Sequence, residues 1–438
     1  MRSLFHLIFL LIIGGLSACS VLPGKEPADL MMPSTTFQTV KARLNSNEKI
    51  SASLEQLEQR NHQFRENRAD STPFKLDPGA TFDYGWCEPK PRPNTLKKLA
   101  DKLQEESAGY RDLAHYYLFT GHTESLRLAS QGLLDWVHQS DLFNAYQLGM
   151  DTEQNWFPGI EEGFCNRSWN MMLDSMWQGY GLLNFSQLYW ILDHEKQSSK
   201  VISEAEQKEI RTWLKYSLVP AVNGGFHAWT RWADAHPQSS AYQRYRSDNH
   251  LPWSQVGLAA AGFALGDTQL VNYVYQGGSY DDGYSGVYQN PSPLGQVITK
   301  SIKADGEVYD EKIRDPENKG FAYAMFSLIP QTMMAHLAET HLNDKSWWTF
   351  KGPSGGSILD GLRHYAPWVA GERPLTNPLE KTSPSFYRFI YRILLSKSWL
   401  SDADREIFIR AARMDLPAQV FIQGLGEIEL LFPVYDEQ

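Results

Sequence analysis

The chain has 438 residues and is acidic, with 51 Asp and Glu against 41 Lys and Arg and a formal net charge of -10 at pH 7. It contains no long basic block, and this composition argues against a nucleic-acid partner. Its 14 Trp and 21 Tyr side chains instead provide flat faces and polar tips of the kind that stack on sugar rings and bond their hydroxyls.

The amino terminus predicts export. A basic start, Met1-Arg2-Ser3, precedes the apolar residues 4–13, which are too few to span a membrane and are typical of a signal peptide. The segment ends in Leu16-Ser17-Ala18-Cys19, which resembles a bacterial lipobox, where Cys19 would be lipidated and become the first mature residue. By resemblance to Gram-negative lipoproteins, Ser20 indicates anchoring to the outer membrane, in the periplasm. A cleaved secretory signal with an incidental cysteine is the alternative.

We therefore expect a lipoprotein signal peptide at 1–18, a lipid anchor and tether at 19–40, and one large domain at 41–438. The Pro, Gly, Ser and Lys residues of the tether would hold the domain off the lipid surface. In an oxidising compartment Cys87 and Cys165 can form a single disulfide. No Cys-x-x-Cys or His-x-x-His spacing occurs near them, so we expect no zinc site built on thiolates. We also expect no other metal and no cofactor. The oligomeric state stays open.

Most segments have the apolar periodicity of helices. The predicted helices are 96–106, 110–120, 124–138, 168–192, 204–216, 253–265, 322–340 and 406–413. Ser203, followed by Glu206, forms a capping box that opens the helix at 204. Only 420–422 and 428–434 look extended, so we predict an all-α fold with little or no β-structure. Helix pairs joined by short turns commonly close into an (α/α) toroid with a groove at one end.

Two polar clusters lie at the starts of predicted helices. The first is Ser247-Asp248-Asn249-His250-Leu251-Pro252-Trp253, and the second runs from Asp305-Gly306 through Glu311 and Arg314 to Tyr323. Together they supply an amide, an imidazole, a guanidinium and a phenol. An amide and a cation can neutralise a carboxylate, and a phenol can take the proton beside it. This combination predicts proton removal next to a sugar carboxylate.

These residues resemble the alginate lyase superfamily of polysaccharide lyases. The Asn-Asn-His-x-x-Trp-like motif of that family corresponds to residues 248–253, and its second motif ends in a Tyr-x-x-Phe that stands here as Tyr323-Ala324-Met325-Phe326. The likeness covers residues 75–375 and implies an (α/α) toroid that cleaves an acidic polysaccharide or oligosaccharide by β-elimination. The chain departs from the pattern in two places. Asp248 replaces the first Asn, and the stretch between Arg314 and Tyr323 is a few residues longer.

The resemblance implies roles for individual residues. Tyr323 would be base and acid, while His250 and Asn249 hold or neutralise the carboxylate. A free phenol titrates near ~10, so a cation, Arg314 in the first place, would have to favour its ionisation. Mannuronate and glucuronate suit a single base and acid, because the proton and the leaving oxygen lie on one sugar face. For guluronate, His250 would be the base and Tyr323 only the acid. The residues expected to bind substrate are Trp253, Arg246, Lys319 and Asp305.

Other interpretations stay open. Asn249 and His250 can be an ordinary helix cap, and Tyr323 can be core packing. A glycoside hydrolase on a similar toroid would instead use two carboxylates. The candidates are Glu161 or Glu162 paired with Asp305, Glu307 or Glu311. A glycan-binding outer-membrane lipoprotein without turnover is a third interpretation, which Asp248 and the longer stretch favour.

Overall fold

The computed structural model describes residues 28–68, 95–139, 167–195, 197–235, 249–281, 287–290, 293–309, 311, 320–375, 384–413, 419–420 and 426–433. Helices dominate this part of the chain. They are α1 Ser34–Arg43, α2 Glu48–Asn67, α3 Thr95–Thr120, α4 Thr123–Gln139, α5 Arg167–His194, α6 Glu204–Trp213, α7 Val219–Ala235, α8 His250–Leu265, α9 Thr268–Tyr275, α10 Leu294–Ser301, α11 Gly320–Leu342, α12 Ile358–Val369, α13 Phe389–Leu395, α14 Asp402–Ala412 and α15 Ile428–Leu431.

Extended chain is limited to two short antiparallel pairs within these ranges. β1 (Gly278–Asp281) pairs with β2 (Val287–Asn290), with Tyr280 opposite Tyr288. β3 (Gln419–Val420) pairs with β4 (Gly426–Glu427). The prediction of an all-α fold with little β-structure is therefore confirmed, although the β1–β2 hairpin was not predicted.

Within the described ranges, four long helices form the inner layer of the toroid. α3, α5, α8 and α11 pack side by side in that order, and α4, α7, α9 and α12 cover them from outside. Inner helices must be apolar all round because neighbours contact every face. Residues 251–262 of α8 and 327–338 of α11 are indeed all buried. None of the helices in the described ranges is long and apolar enough to cross a bilayer.

Local sequence signals account for most helix boundaries. The capping box before α6 is present, because the Ser203 backbone N–H donates to the Glu206 carboxylate at 2.8 Å and the Glu206 N–H donates to Ser203 Oγ at 3.3 Å. The helix then continues through a π turn, Leu214–Leu218, directly into α7. The predicted helices 96–106 and 110–120 are one helix, α3. Gly109 lies inside this helix, where an added Cβ would lie 2.4 Å from the Phe64 ring.

The prediction of an extended segment at 428–434 is wrong at its start, because Ile428–Leu431 is a short helix. Ile428, Leu430 and Leu431 are all fully buried, and α15 packs on α1 and α2. An apolar run that is buried on every side has no alternation that distinguishes strand from helix. Val420 does lie in a strand, while residues 421–425 are outside the described ranges.

A pair of glycines lets α5 and α8 approach closely. A Cβ at Gly179 would lie 2.5 Å from the Trp253 carbonyl oxygen, and a Cβ at Gly257 would lie 2.5 Å from the Gly179 carbonyl oxygen. No real Cβ tolerates such distances to backbone atoms, so both positions require glycine. The crossing brings Tyr180 of α5 against Trp253 of α8, with ring centroids 4.5 Å apart.

A buried charge network joins α2 and β4 to the inner helices α3 and α5. Arg60 of α2 donates to Asp112 of α3 at 3.0 Å and to Glu427 of β4 at 2.8 Å. Arg111 also donates to Asp112, at 2.8 Å, and reaches Asn184 of α5 at 2.5 Å. Burial alone would raise the pKa of Asp112, but the charges of Arg111 and Arg60 outweigh it and hold that pKa below its ordinary value.

Residues 29–32 are part of the folded domain. Leu30, Met31 and Met32 are completely buried, and the Asp29 carboxylate lies 3.2 Å from His115 Nε2 on α3. α1 follows directly, at residue 34. The prediction of a tether over 19–40 is therefore wrong for residues 28–40. Burying the apolar side chains of Leu30, Met31 and Met32 between the helices is more favourable in free energy than leaving them exposed to water in a tether.

The same segment is bound to the last inner helix. His336 Nε2–H of α11 donates to the Met31 carbonyl at 2.7 Å, and His341 Nε2–H donates to the Leu30 carbonyl at 2.8 Å. Residues 29–32 thus bridge the first and last inner helices, α3 and α11. Burial, together with the charge of Lys397 beside it, holds the pKa of His336 well below its usual value, and burial lowers the pKa of His341 to about 4.

We expect Gly179→Ala to lower the free energy of unfolding by about 1–3 kcal/mol, because the added carbon meets a backbone carbonyl that cannot move aside. Thermal or urea unfolding measures this loss. Gly295→Ala is the matched control, because its added carbon lies closest to the movable ring of Phe350, at 3.1 Å. Equal stability loss in the two variants would contradict the close α5–α8 crossing.

Stability should fall as the pH drops from about 6.5 to about 4. An unfolded histidine titrates near ~6.5, whereas folded His341 titrates at about 4 and folded His336 well below its usual value. In this window the unfolded chain binds protons that the folded chain does not, so each histidine costs up to about 1.4 kcal/mol per pH unit.

Urea unfolding at several pH values measures this slope. The variant His336→Gln/His341→Gln should have a flatter slope than the parent, because its glutamines take up no proton. His122→Gln changes an exposed histidine and should keep the parent slope. Identical slopes in all three proteins would contradict the assignment.

Candidate active site at the start of two inner helices

The two predicted clusters meet where α8 and α11 begin. Trp253 lies one turn into α8, after His250, and Phe326 lies one turn after Tyr323 in α11. The Trp253 indole N–H donates to the Phe326 carbonyl at 2.9 Å, and the two rings lie 5.1 Å apart. The first turn of α8 is therefore in contact with the second turn of α11. The structure brings the segment Asn249-His250 and Tyr323 to the same end of the toroid.

Asn249 presents an unused donor at this place. Its side chain is 1% exposed, makes no capping bond to α8, and its Nδ2 has no hydrogen-bond partner among the described residues. A buried donor without a partner costs about 1–3 kcal/mol, a cost that a hydrogen bond to a ligand would remove. The interpretation of Asn249 as an ordinary side-chain cap is wrong, because the bond that defines such a cap is absent.

His250 and Tyr323 are both partly exposed. Each lies within the first turn of its helix, where the helix dipole favours a negative charge. The site therefore combines an amide donor, an imidazole, a phenol and two positive helix ends. This arrangement can bind a carboxylate and hold a phenol beside it.

Trp253 is not a sugar-stacking residue. The prediction that it binds substrate is corrected by its burial, since its exposed fraction is 0%. Tyr180 packs against the indole ring, and the indole N–H donates to the Phe326 carbonyl. Trp253 belongs to α8, an inner helix rich in alanine and glycine, and the neighbouring helices cover the indole completely.

The Asp305-Gly306 turn has a structural role. Gly306 has a φ of +85°, and a Cβ there would lie 2.3 Å from the Asp360 carbonyl of α12. Asp305 is exposed, its Oδ1 accepts from the Glu307 N–H at 3.0 Å, and its carbonyl lies 2.9 Å from His364 Nδ1. The turn thus fastens the second motif to α12. A substrate contact by Asp305 stays a prediction.

Glu311 is held by a buried tyrosine. Tyr365 of α12 donates its hydroxyl proton to Glu311 Oε2 at 2.6 Å and accepts the Val308 N–H at 3.0 Å. Burial, then the charge of Glu311, raises the pKa of Tyr365 well above its ordinary value. A Cβ on Gly320 would lie 2.6 Å from the Glu311 carbonyl oxygen. Glu311 and the first residue of α11 are therefore in direct contact, one turn before Tyr323.

Several predicted residues lie outside the described ranges. They are Cys19, Cys87, Glu161, Glu162, Cys165, Arg246, Asp248, Arg314 and Lys319. Their roles stay predictions. Among the residues that the structure describes, no three His, Cys, Asp or Glu side chains form a group that could hold a metal ion.

A family model of alginate lyases matches residues 55–375. The chain belongs to the alginate lyase family. The matched range contains both motifs and all of the inner helices, and it includes the whole range of the expected likeness, 75–375. No curated protein sequence matches the chain significantly.

Solved structures of alginate lyases have the same fold as this family member. Alginate lyase A1-III from Sphingomonas species A1 is 12% identical, and the match covers 90% of this chain and 94% of that chain with a TM-score of 0.53. A tyrosine-to-phenylalanine variant of alginate lyase A1-III, complexed with a tetrasaccharide, is 14% identical over 87% of this chain and 94% of that chain, with a TM-score of 0.50. At these identities the likeness shows the (α/α) toroid alone.

Two contributors to the site were missed in the sequence of this alginate lyase family member. Tyr180 supports Trp253 from α5, and Pro330 lies inside α11, one turn after Phe326. A signal for Tyr180 was present, because it stands between Gly179 and Gly181 in a helical pattern. Such glycines often mark a close helix crossing. A proline inside a predicted helix was a signal for a carbonyl that needs another donor.

Proposed function

We propose that this protein is a polysaccharide lyase that cleaves a uronic-acid glycan by β-elimination. The observation that carries the proposal is the convergence of Asn249, with its unused buried donor, His250 and Tyr323 at the adjoining starts of α8 and α11. Membership of the alginate lyase family supports the same chemistry.

The reaction needs one stabilised charge and one proton carrier. Asn249 Nδ2–H and His250 bind the substrate carboxylate, so that the enediolate formed when the C5 proton departs is stabilised. The Tyr323 phenolate takes that proton. The C4–O4 bond then breaks, its electron pair leaves with O4, and Tyr323 returns the proton to the departing oxygen. The products are a new reducing end and a uronate with a C4–C5 double bond, and no water is consumed.

The proposed substrate is alginate-like, with mannuronate or glucuronate at the cleaved bond. A single Tyr323 can serve as base and acid only if the C5 proton and O4 lie on one sugar face, which these two sugars satisfy. The tetrasaccharide bound by the alginate lyase A1-III variant supports an oligosaccharide as substrate. Arg246, Arg314 and Lys319 are the cations proposed to contact it.

The hydrolase alternative finds less support in the second motif. Glu311 is engaged by Tyr365, and Glu307 is paired with Lys303. Both carboxylates therefore already have structural partners. Hydrolysis and binding without turnover are the two outcomes that the next experiment separates from elimination.

Tyr323→Phe should abolish elimination while the protein still binds the glycan. The purified protein is incubated with mannuronate-rich, guluronate-rich and glucuronate polymers, and the ultraviolet absorbance of the unsaturated uronate is recorded. We expect absorbance on one polymer and at least a ~1,000-fold lower rate in the variant, an order of magnitude typical for loss of a proton-transfer residue. Tyr216→Phe, at a tyrosine that is 45% exposed, is the matched control and should keep the parent rate.

Reducing ends without absorbance would overturn the proposal in favour of hydrolysis. Binding to a polymer without any product would favour a glycan-binding protein. An unchanged rate in Tyr323→Phe would contradict the role of the phenol.

We also propose that the protein is a lipoprotein anchored through Cys19 in the periplasm, on the outer membrane. Eight residues separate Cys19 from Ala28, where the described domain begins. Even fully extended, this stretch spans at most about 30 Å. The end of the toroid that binds residues 29–32 would therefore stay close to the lipid surface.

Cys19→Ala should move the protein from the membrane fraction to the soluble fraction of the periplasm, because the acyl chains provide the attachment. Fractionation with detection of the protein measures this change. Cys87→Ala should stay in the membrane fraction. Membrane association that survives Cys19→Ala would contradict the anchor.

A further inference from the structure

Pro330 leaves one carbonyl of α11 without its usual partner. In an α-helix the N–H of residue i donates to the carbonyl of residue i−4, and proline has no N–H. The carbonyl that loses this donor is that of Phe326, four residues before Pro330. The same carbonyl accepts the Trp253 indole N–H at 2.9 Å. The proline thus makes an acceptor inside a helix accessible to a donor from the neighbouring helix.

The donor is held in place on all sides. Trp253 is completely buried, its ring lies 4.5 Å from that of Tyr180 at 65°, and 5.1 Å from that of Phe326. The ring of Tyr180 also approaches Phe326, at 6.4 Å. The close crossing at Gly179 and Gly257 supports this cluster from α5. The indole is therefore closely packed, with its N–H directed at α11.

The bond joins equivalent points of the two motifs. Trp253 is three residues after His250, and Phe326 is three residues after Tyr323. Residues three apart are neighbours on one face of a helix. Trp253 therefore lies next to His250, and Phe326 next to Tyr323, each about one turn further into its helix. A shift of one helix along the other would break this bond and displace Tyr323 relative to His250 and Asn249.

We infer that the Trp253–Phe326 hydrogen bond, made available by Pro330, is a positioning link that sets the register of the Tyr323 phenol against Asn249 and His250. This inference rests on the proposed function. Proton transfer requires reacting atoms within about 3–3.5 Å, and a misplacement of about 1 Å can cost about 100-fold in rate. Trp253 is thus a positioning residue, not a catalytic one.

Trp253→Phe tests the link, because it keeps an aromatic ring but removes the N–H donor together with part of the indole's volume, a loss of volume that the control variant shares. We expect kcat to fall by about 10- to 100-fold with KM changed by less than about threefold, since substrate binding does not use the indole. Trp348→Phe is the matched control. Trp348 is also completely buried and donates its indole N–H to Glu339 at 2.8 Å, outside the site. Its kcat should stay within about twofold of the parent.

The double variant Trp253→Phe/Pro330→Ala distinguishes an effect of the link on the position of Tyr323 from an effect on the stability of the protein alone. The alanine introduced in place of Pro330 supplies the missing backbone N–H to the Phe326 carbonyl, so thermal stability should recover toward that of the parent. The cross-helix link is still absent, so kcat should stay low. Recovery of stability without recovery of kcat is the result that a purely structural role does not produce.

The outcomes are distinct. If the parent protein eliminates and Trp253→Phe has the kcat of Trp348→Phe, the inference is overturned while the proposed function stands. Recovery of kcat together with stability in the double variant also overturns it. If the parent protein gives no unsaturated product from any uronate polymer, the proposed function fails, and the positioning role fails with it.

Discussion

The hydrogen bond between the Trp253 indole and the Phe326 carbonyl is the contact on which the geometry of the site depends. Asn249 and His250 lie at the start of α8, while Tyr323 lies near the start of α11, and the packing of these two helices brings them to the same end of the toroid. The contact is the last in a series. Two glycines let α5 approach α8, and Tyr180 then packs against Trp253. The indole N–H donates to the Phe326 carbonyl, which has no donor within its own helix because Pro330 lacks an N–H.

The far end of α11 is held by the beginning of the chain. Residues 29–32 insert between α3 and α11, and the buried His336 and His341 bind their carbonyls. The helix that carries the phenol at its start is thus fixed at its other end by a segment expected to be a tether. Under the proposed lipid anchor, the attachment point and the chemical site are connected through one helix. Because the pKa values of these buried histidines are lowered, the stability of this contact between residues 29–32 and α11 should depend on pH.

Local signals predicted most of the helices and placed the two motifs at helix starts, but they did not predict how these helix starts are held together. Periodicity and a capping box predict helices such as α6 and α11, and the two motifs predict that Asn249, His250 and Tyr323 work together. Burial of Trp253 was not predictable, because an apolar helix does not reveal which neighbours cover it. The docking of residues 29–32 depends on histidines far along the chain, and the short helix at 428 depends on α1 and α2. Such contacts are tertiary, and no local pattern encodes them.

The central claim is elimination by Tyr323 beside Asn249 and His250, and the mass balance of the products tests it most directly. A mannuronate tetrasaccharide of known mass is incubated with the protein, and the fragments are weighed by mass spectrometry. Elimination adds no water, so the account predicts fragment masses that sum to the mass of the substrate, with a double bond in one fragment. Fragments whose masses sum to the substrate plus one water would show hydrolysis and contradict the account. An intact substrate, with glucuronate and guluronate oligosaccharides equally intact, would contradict it as well.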